Sequence, residues 1–587
     1  MKRLYSGNEA IARAAYETGV TVATGYPGTP STEILEAAAR YQEGLYCEWS
    51  PNEKVALEVA AGASLSGARA MVTMKHVGLN VAADPLMTLS FVGTVGGMVV
   101  VVADDPGMHS SQNEQDTRHY ARLGKLPILE PADSQEAKDF FRLGLEISEE
   151  FQTPVILRTT TRVSHSRSLV EIAERVAIRP AAGFVKDPPR YVAVPMYARP
   201  MRVRAEDRLA KLSMAACRSP ANRIERRGRS LGIITAGIAY QYVREAFPEA
   251  SILKLGWAYP FPDELIRQFA AEVEQLLVVE ELDDFLEEHI RALGIACWGK
   301  SVVPRIGELS PDVMHRVRDA LEGNPAAAPR PAPVPLDDLP GRPPVLCPGC
   351  PHRGIFHVLG KFDVVVAGDI GCYSLAAFPP LNRLDTLVCM GAGVSMAHGM
   401  DRAGEPKKVV GVIGDSTFFH SGITGLLDIA YNRGAATIIV LDNRTTAMTG
   451  HQDHPGTGQT LMGAEAPVAS IEDIGRACGI KNVATVDPYD LPATTRAIKA
   501  AINSDQSWLI VSRRPCPLHE RITLGPPRRL DADVCRECGL CLRLGCPALE
   551  GGDGIPQVNA LLCAGCGLCD QICPADAIQI TEAASHG

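Results

Sequence analysis

The first third of the 587-residue chain alternates short apolar runs with Ala-rich stretches. The runs Val20 to Thr24, Met98 to Ala103 and Pro154 to Arg158 have the length of strands, and Val55 to Leu65 has the composition of a helix. Strand-like runs that are apolar at nearly every position, separated by helices, predict a parallel sheet covered on both faces. Residues 185–228 are rich in Pro and Arg with weak periodicity and suggest a connecting excursion. A new cycle begins with strand candidates Leu231 to Thr235 and Leu276 to Val279. The segment 324–344, NPAAAPRPAPVPLDDLPGRPP, reads as a semi-rigid extended linker. Beyond it, Val364 to Ala367, Val409 to Ile413, Thr437 to Leu441 and Trp508 to Ser512 announce another α/β cycle. The expected organisation is an α/β domain over 1–184, a connecting segment over 185–228, a smaller α/β domain over 229–323, the linker over 324–344, another α/β domain over 345–526 and a Cys-rich module over 527–587.

Composition narrows the class without naming it. Apolar residues make up 46% and charged residues 21%, an ordinary globular balance. The net charge of -10 gives no global attraction to nucleic acid or anionic lipid, so neither is an expected partner. No run approaches about 18 consecutive apolar residues, and the start MKRLYSGNEAIARAAYETG lacks a signal-peptide core. Eight of the 17 cysteines fall at metal-ligand spacing near the C-terminus, which favours thiolate coordination in a reducing cytoplasm over disulfides.

Those eight read Cys535-x2-Cys538-x2-Cys541-x4-Cys546-Pro547 and Cys563-x2-Cys566-x2-Cys569-x3-Cys573-Pro574. A single C-x2-C pair suits zinc, but two triads in tandem are the signature of a two-cluster bacterial ferredoxin, in which the fourth Cys of each run ligates the other cluster. One [4Fe-4S] cluster is therefore expected on Cys535, Cys538, Cys541 and Cys573, and a second on Cys563, Cys566, Cys569 and Cys546. The first run carries x4 where x3 is usual.

A second chemistry shows in VVGVIGDSTFFHSGITGLLDIAYNRGAATIIVLDN, where one apolar run ends in Gly414-Asp415-Ser416 and the next in Asp442-Asn443. Magnesium takes hard oxygen ligands from few side chains and lets phosphate complete its octahedron. Asp415 and Asn443 supply such ligands, joined by the Thr445 backbone carbonyl, while Gly414 lets backbone approach phosphate. The block is similar to the thiamine-diphosphate motif, which begins Gly-Asp-Gly and ends in Asn; Ser416 departs from its third Gly. An enzyme of that kind needs a shielded carboxylate for proton exchange at the aminopyrimidine. Asn52-Glu53-Lys54-Val55-Ala56 resembles the Asn-Glu-x-x-Ala helix of thiamine enzymes and nominates Glu53, with Glu48 and Glu58 as local alternatives.

Further resemblances follow. Gly25-Tyr26-Pro27-Gly28-Thr29-Pro30-Ser31-Thr32 resembles the Tyr-Pro-x-Thr-Pro-Ser turn of pyruvate:ferredoxin oxidoreductases, which implies that Thr29 meets the 2-oxoacid. Cys347-Pro348-Gly349-Cys350-Pro351-His352-Arg353, with Cys372 and Cys516, resembles the ligand set of the cluster nearest thiamine in that family and implies a third [4Fe-4S] cluster on Cys347, Cys350, Cys372 and Cys516. Along almost its whole length the chain resembles the indolepyruvate:ferredoxin oxidoreductase alpha subunits. The resemblance implies two doubly wound thiamine-diphosphate-binding domains flanking a smaller α/β domain, with a ferredoxin-like α+β module at the C-terminus. It also implies oxidative decarboxylation of an aryl 2-oxoacid, coenzyme A taking the acyl group, ferredoxin taking electrons, and a smaller beta subunit completing an α2β2 assembly. A non-oxidative thiamine decarboxylase with a structural ferredoxin module, a different 2-oxoacid specificity and a non-catalytic electron-transfer subunit stand as alternatives. His76, Asn80, His109, Gln112 and Asn113 are loop candidates for substrate or coenzyme A contacts, and Cys47, Cys217, Cys297, Cys389 and Cys478 read as core residues.

Overall fold

The computed structural model describes residues 1–178, 183–323, 344–520, 524–551 and 554–580, so the Pro-rich stretch lies outside the described residues except for its last position. The chain divides into two compact units, one within Met1–Pro335 and one within Leu336–Gly587.

The first unit is built on a seven-stranded sheet whose order across the sheet is Tyr46–Trp49, Val22–Gly25, Ala70–Lys75, Met98–Asp104, Val155–Thr160, Ile128–Leu129 and Trp257–Tyr259. All neighbours are parallel except the last pair. Met98–Asp104 and its two neighbours are buried at every position, which is why these strands show continuous apolar runs instead of alternation. Helices start where capping residues allow. Ser6 and Glu9 form a capping box on Gly7–Glu17, and Asn52 Oδ1 accepts from the Val55 N–H at 2.9 Å to open Glu53–Leu65.

A smaller sheet runs Gln275–Val279, Leu231–Ala236, Ser251–Leu255 and Asn222–Glu225, the last strand antiparallel. Trp257–Tyr259, immediately after Ser251–Leu255, crosses to the edge of the large sheet and pairs with Ile128–Leu129. One hydrophobic cluster, containing both Val100 and Leu253, runs through both sheets, and the buried Arg118 binds Asp116 and Glu280 from the two parts. The stretch 185–228 is not an irregular excursion: Pro195–Arg218 is a 24-residue helix. Only Met201, Ala205, Leu212 and Ala216 of it are buried. That stripe is so narrow, amid Arg-rich exposed positions, that window-averaged periodicity hides it.

The second unit carries a five-stranded, wholly parallel sheet in the order Val364–Ala367, Lys408–Gly414, Thr437–Asp442, Trp508–Arg513 and Asn482–Val486. The Cys-rich module has two small antiparallel ladders, Arg528–Leu530 with Ile578–Ile580 and Leu549–Glu550 with Gln557–Val558. Its Leu544, Leu568 and Ile578 join the core cluster of Ile355, Phe356 and Leu359, so it borrows apolar burial from the α/β part. Among the described residues no helix is long and apolar enough to cross a membrane.

Candidate active site and thiolate clusters

In open parallel sheets ligands bind beyond the carboxyl ends of the strands. Gly414 ends one central strand and Asp442 ends its neighbour, so Asp415 and Asn443 emerge side by side at that edge. The Arg444 N–H donates to Asp415 Oδ2 at 2.8 Å, and His454 Nε2 lies 3.1 Å from the same oxygen. The Ser416 N–H donates to Asp415 Oδ1 at 2.9 Å. Burial raises the Asp415 carboxyl, but the His454 imidazole and these donors bring it below its ordinary range. Burial and the Asp415 charge push the neighbouring Asp442 up. Asn443 Oδ1 accepts from the Thr445 N–H at 3.3 Å, and the Thr445 hydroxyl is buried with no hydrogen-bond partner. A Cβ on Gly414 would sit 2.9 Å from the Tyr373 ring, so the turn has no room for a larger residue. Ser416 is housed by a 2.9 Å bond from Thr446 Oγ1, in a helical turn that needs no left-handed backbone. A hard-oxygen set around one buried carboxylate, with an unsatisfied hydroxyl beside it, fits a divalent ion bridging a diphosphate.

Four thiols adjoin this edge. The hydroxyl of Tyr373, next to Cys372, accepts the Gly414 N–H at 2.8 Å, and the Cys516 N–H donates to the Asn443 carbonyl at 3.0 Å. Cys372 feels the charges of Cys347 and Cys516, and Cys350 those of Cys347 and Cys372, so the structure gathers Cys347, Cys350, Cys372 and Cys516. Burial pushes Cys350 up to about 12 and Cys372 up to about 11. Arg353 is buried and donates to the carbonyls of Cys347, at 3.2 Å, and Leu544, at 3.0 Å, tying this set to the Cys-rich module.

Within that module Cys535, Cys538, Cys541 and Cys573 line one cavity. Cys566 feels Cys546 and Cys563, and Cys569 feels Cys566 and Cys563. The fourth Cys of each run thus sits with the triad of the other, and the extra residue before Cys546 does not take it away. A tetrahedral zinc ion holds thiolates about 3.8 Å apart. Among the described residues the one triad of His, Cys, Asp or Glu ligand atoms within 4.8 Å of one another is Asp116, His119 and Asp283. No thiol belongs to it. Asp116 is already clamped by Arg118.

In the first unit Glu53 is buried at the first turn of its helix. A Cβ on Gly78 would come within 2.4 Å of Glu53 Oε1, so Gly78 clears the space the carboxylate occupies. Glu58 is half exposed and paired with Lys54, and Glu48 accepts from Ser50 Oγ at 2.8 Å. Thr29 is half-buried in the turn after Val22–Gly25, where a Cβ on Gly28 would meet Lys75 Cβ at 3.2 Å. Lys75 is buried, donates to the Ser110 carbonyl at 2.5 Å, and is pulled down by burial to about 8. His76 and Asn80 are not in a loop: they open the helix His76–Val92, which accommodates Pro85. His76 Nε2 lies 3.2 Å from the Asn113 carbonyl, Asn80 accepts from Tyr120 at 2.5 Å, His109 pairs with Glu308 at 3.1 Å, and Gln112 is exposed. Of the cysteines read as core, Cys47 is buried and Cys217, Cys297 and Cys478 are half-buried. Cys389 is not core: it is exposed, in the loop leading to Ala392–Arg402. Sequence reasoning missed His454, Tyr373 and Lys75. Gly78, in the first turn of the helix His76–Val92, was missed as well, because the stretch around it reads as a loop.

Known proteins resemble this chain both domain by domain and along nearly its full length. Residues 13–207 match the family model described as pyruvate flavodoxin/ferredoxin oxidoreductase, thiamine diP-binding. Residues 369–512 match the C-terminal TPP binding domain of thiamine pyrophosphate enzymes, and residues 556–579 match a 4Fe-4S binding domain. The chain is 45% identical to the indolepyruvate oxidoreductase subunit IorA of Methanothermobacter marburgensis, covering 98% of this chain and 96% of that one. It is 40% identical to the subunit of the same name from Archaeoglobus fulgidus, with the same coverage of 98% and 96%. A solved 2-oxoglutarate:ferredoxin oxidoreductase from Magnetococcus marinus, with 2-oxoglutarate, coenzyme A and succinyl-CoA bound, matches at 18% identity and TM-score 0.46 over 54% of this chain and 65% of that one. With full-length relatives at this identity, and with thiamine-diphosphate and iron-sulfur domains in place, the chain belongs to the family of indolepyruvate oxidoreductase IorA subunits, within the 2-oxoacid:ferredoxin oxidoreductases.

Proposed function

We propose that the chain, with a smaller beta subunit in an α2β2 assembly in the cytoplasm, oxidatively decarboxylates aryl 2-oxoacids such as indolepyruvate, coenzyme A receiving the acyl group and ferredoxin the electrons. When bound, thiamine diphosphate supplies the carbanion chemistry that cleaves a 2-oxoacid, and [4Fe-4S] clusters supply one-electron acceptors. Asp415, Asn443 and the Thr445 carbonyl would hold Mg²⁺ for the diphosphate, with Gly414 and Ser416 shaping the turn. Glu53 holds and returns a proton at the aminopyrimidine, and Thr29 meets the 2-oxoacid. Cys347, Cys350, Cys372 and Cys516 carry the cluster nearest this chemistry. Cys563, Cys566, Cys569 and Cys546 carry a second, and Cys535, Cys538, Cys541 and Cys573 a third.

One observation supports an oxidative reading over a merely structural ferredoxin module. The two loops that present Asp415 and Asn443 are hydrogen-bonded, through Tyr373 and the Cys516 N–H, to the segments bearing two thiols of the four-Cys set. An electron acceptor placed there adjoins the electron source. The test is anaerobic incubation of the purified complex with indolepyruvate, coenzyme A and a viologen dye. Coenzyme-A-dependent dye reduction is expected. Aldehyde without dye reduction contradicts the reading and favours a non-oxidative decarboxylase. A panel of 2-oxoacids under the same conditions ranks the substrates.

A further inference from the structure

The second unit bears a groove of about 370 Å³ whose lining includes His357, Lys361, Arg383 and Arg543 and no carboxylate. Burial and the neighbouring Lys361 push His357 down to about 4, so the charge rests on the other three. Lys361 and Arg543 are exposed, and Arg383 spends its donors on the backbone carbonyls of Gly360, at 3.2 Å, and Asn382, at 3.5 Å. Among the described residues none of the three meets an acidic partner, in a chain whose net charge is -10. Unpaired cations concentrated in one groove of an acidic protein create a local field of the opposite sign to the whole.

The groove also borders a thiolate set. Leu540 lines both the groove and the cavity enclosed by Cys535, Cys538, Cys541 and Cys573. Ile572, another groove residue, precedes Cys573, and Arg543 lies on the same short turn, Leu540–Leu544, as Cys541. Leu540 is thus common to this surface and to the thiol cavity. A lining that joins the apolar Leu540 and Ile572 to exposed Lys361 and Arg543 suits a small, electrostatically steered redox contact.

We infer that this groove is the docking surface for a small acidic electron-carrier protein, which takes electrons from the cluster on Cys535, Cys538, Cys541 and Cys573. The inference rests on the proposed oxidoreductase function. Each encounter moves one electron from the reduced cluster to the carrier's oxidised centre, with no bond made or broken. The charge is placed to attract the carrier, and Leu540 and Ile572 give it apolar contact beside the thiol cavity.

The test uses the intact complex and the double charge reversal K361E/R543E. Reduction of an acidic ferredoxin is compared with reduction of methyl viologen, a small cation that does not need the groove. In the double variant the KM for ferredoxin rises roughly tenfold at low ionic strength while viologen turnover stays at the wild-type rate. Ferredoxin reduction by the wild type slows with added salt, and this dependence flattens in the variant. An unchanged KM for ferredoxin overturns the inference. So does a raised KM for coenzyme A with ferredoxin kinetics intact, which would make the groove a site for the phosphates of a small anion. An equal fall with viologen also overturns it, since the variant would then have damaged the cluster. Wild-type complex that reduces neither acceptor overturns the functional reading itself, and this inference with it.

Discussion

At the scale of single residues the proposed chemistry depends on shielded acids. Glu53 occupies space that only a glycine at position 78 leaves open. Gly78→Ala is expected to push the carboxylate aside and lower kcat at least about tenfold, and Glu53→Gln to cost roughly 10²-fold or more, with far-ultraviolet circular dichroism unchanged in both. Wild-type turnover in either variant would remove Glu53 from the chemistry. Asp369 offers a different test. It is buried, accepts the Gly393 N–H at 3.2 Å at the start of Ala392–Arg402, and is pushed up by burial to about 7. A carboxyl whose folded pKa exceeds its unfolded value binds more protons in the native state, so its contribution is full below about pH 4 and is lost as pH rises to about 7. Urea unfolding at pH 5 and pH 7.5 should show a smaller stability gap in Asp369→Asn than in the wild type; an unchanged gap contradicts this. Asp415 and Asn443 were legible in sequence as candidate ligands because they follow strand ends in a spaced motif. His454 and Lys75 were not, because each reaches its site through tertiary packing that leaves no local pattern.

At the scale of elements, the module's cysteines make the sharpest statement. Spacing already implied that the fourth Cys of each run serves the other triad, and the folded segment places Cys573 in the cavity of Cys535, Cys538 and Cys541. Cys573→Ser should therefore remove the cluster of the first triad and roughly a third of the iron, while the signal of the cluster on Cys563, Cys566 and Cys569 persists. Loss of the second triad's signal instead would reverse the assignment. Strands were read well where they are buried on both faces, as with Met98–Asp104, because an apolar run too short for a helix suits a strand covered on both sides. The helix Pro195–Arg218 escaped because four buried positions in 24 residues barely disturb a polar average. Likewise the crossing strand Trp257–Tyr259 is only three residues long, and nothing local tells it to leave one sheet for another.

At the scale of the molecule, two units with separate cores imply separate responses to metal loss. The Cys-rich module lends only a few apolar residues to the second unit's core, so removing iron with a chelator takes away much of what orders it. Calorimetry should then show one unfolding transition moved to lower temperature and another unmoved; a uniform shift of both would mean that the units do not unfold independently. Above all, electrons released from a 2-oxoacid should enter thiolate-bound clusters in this same chain. Rapid-freeze electron paramagnetic resonance of the anaerobic complex mixed with indolepyruvate and coenzyme A observes that step itself. Reduced [4Fe-4S] signals are expected within a turnover and absent in Asp415→Ala, whereas product formed with the clusters still oxidised would contradict the proposed electron path.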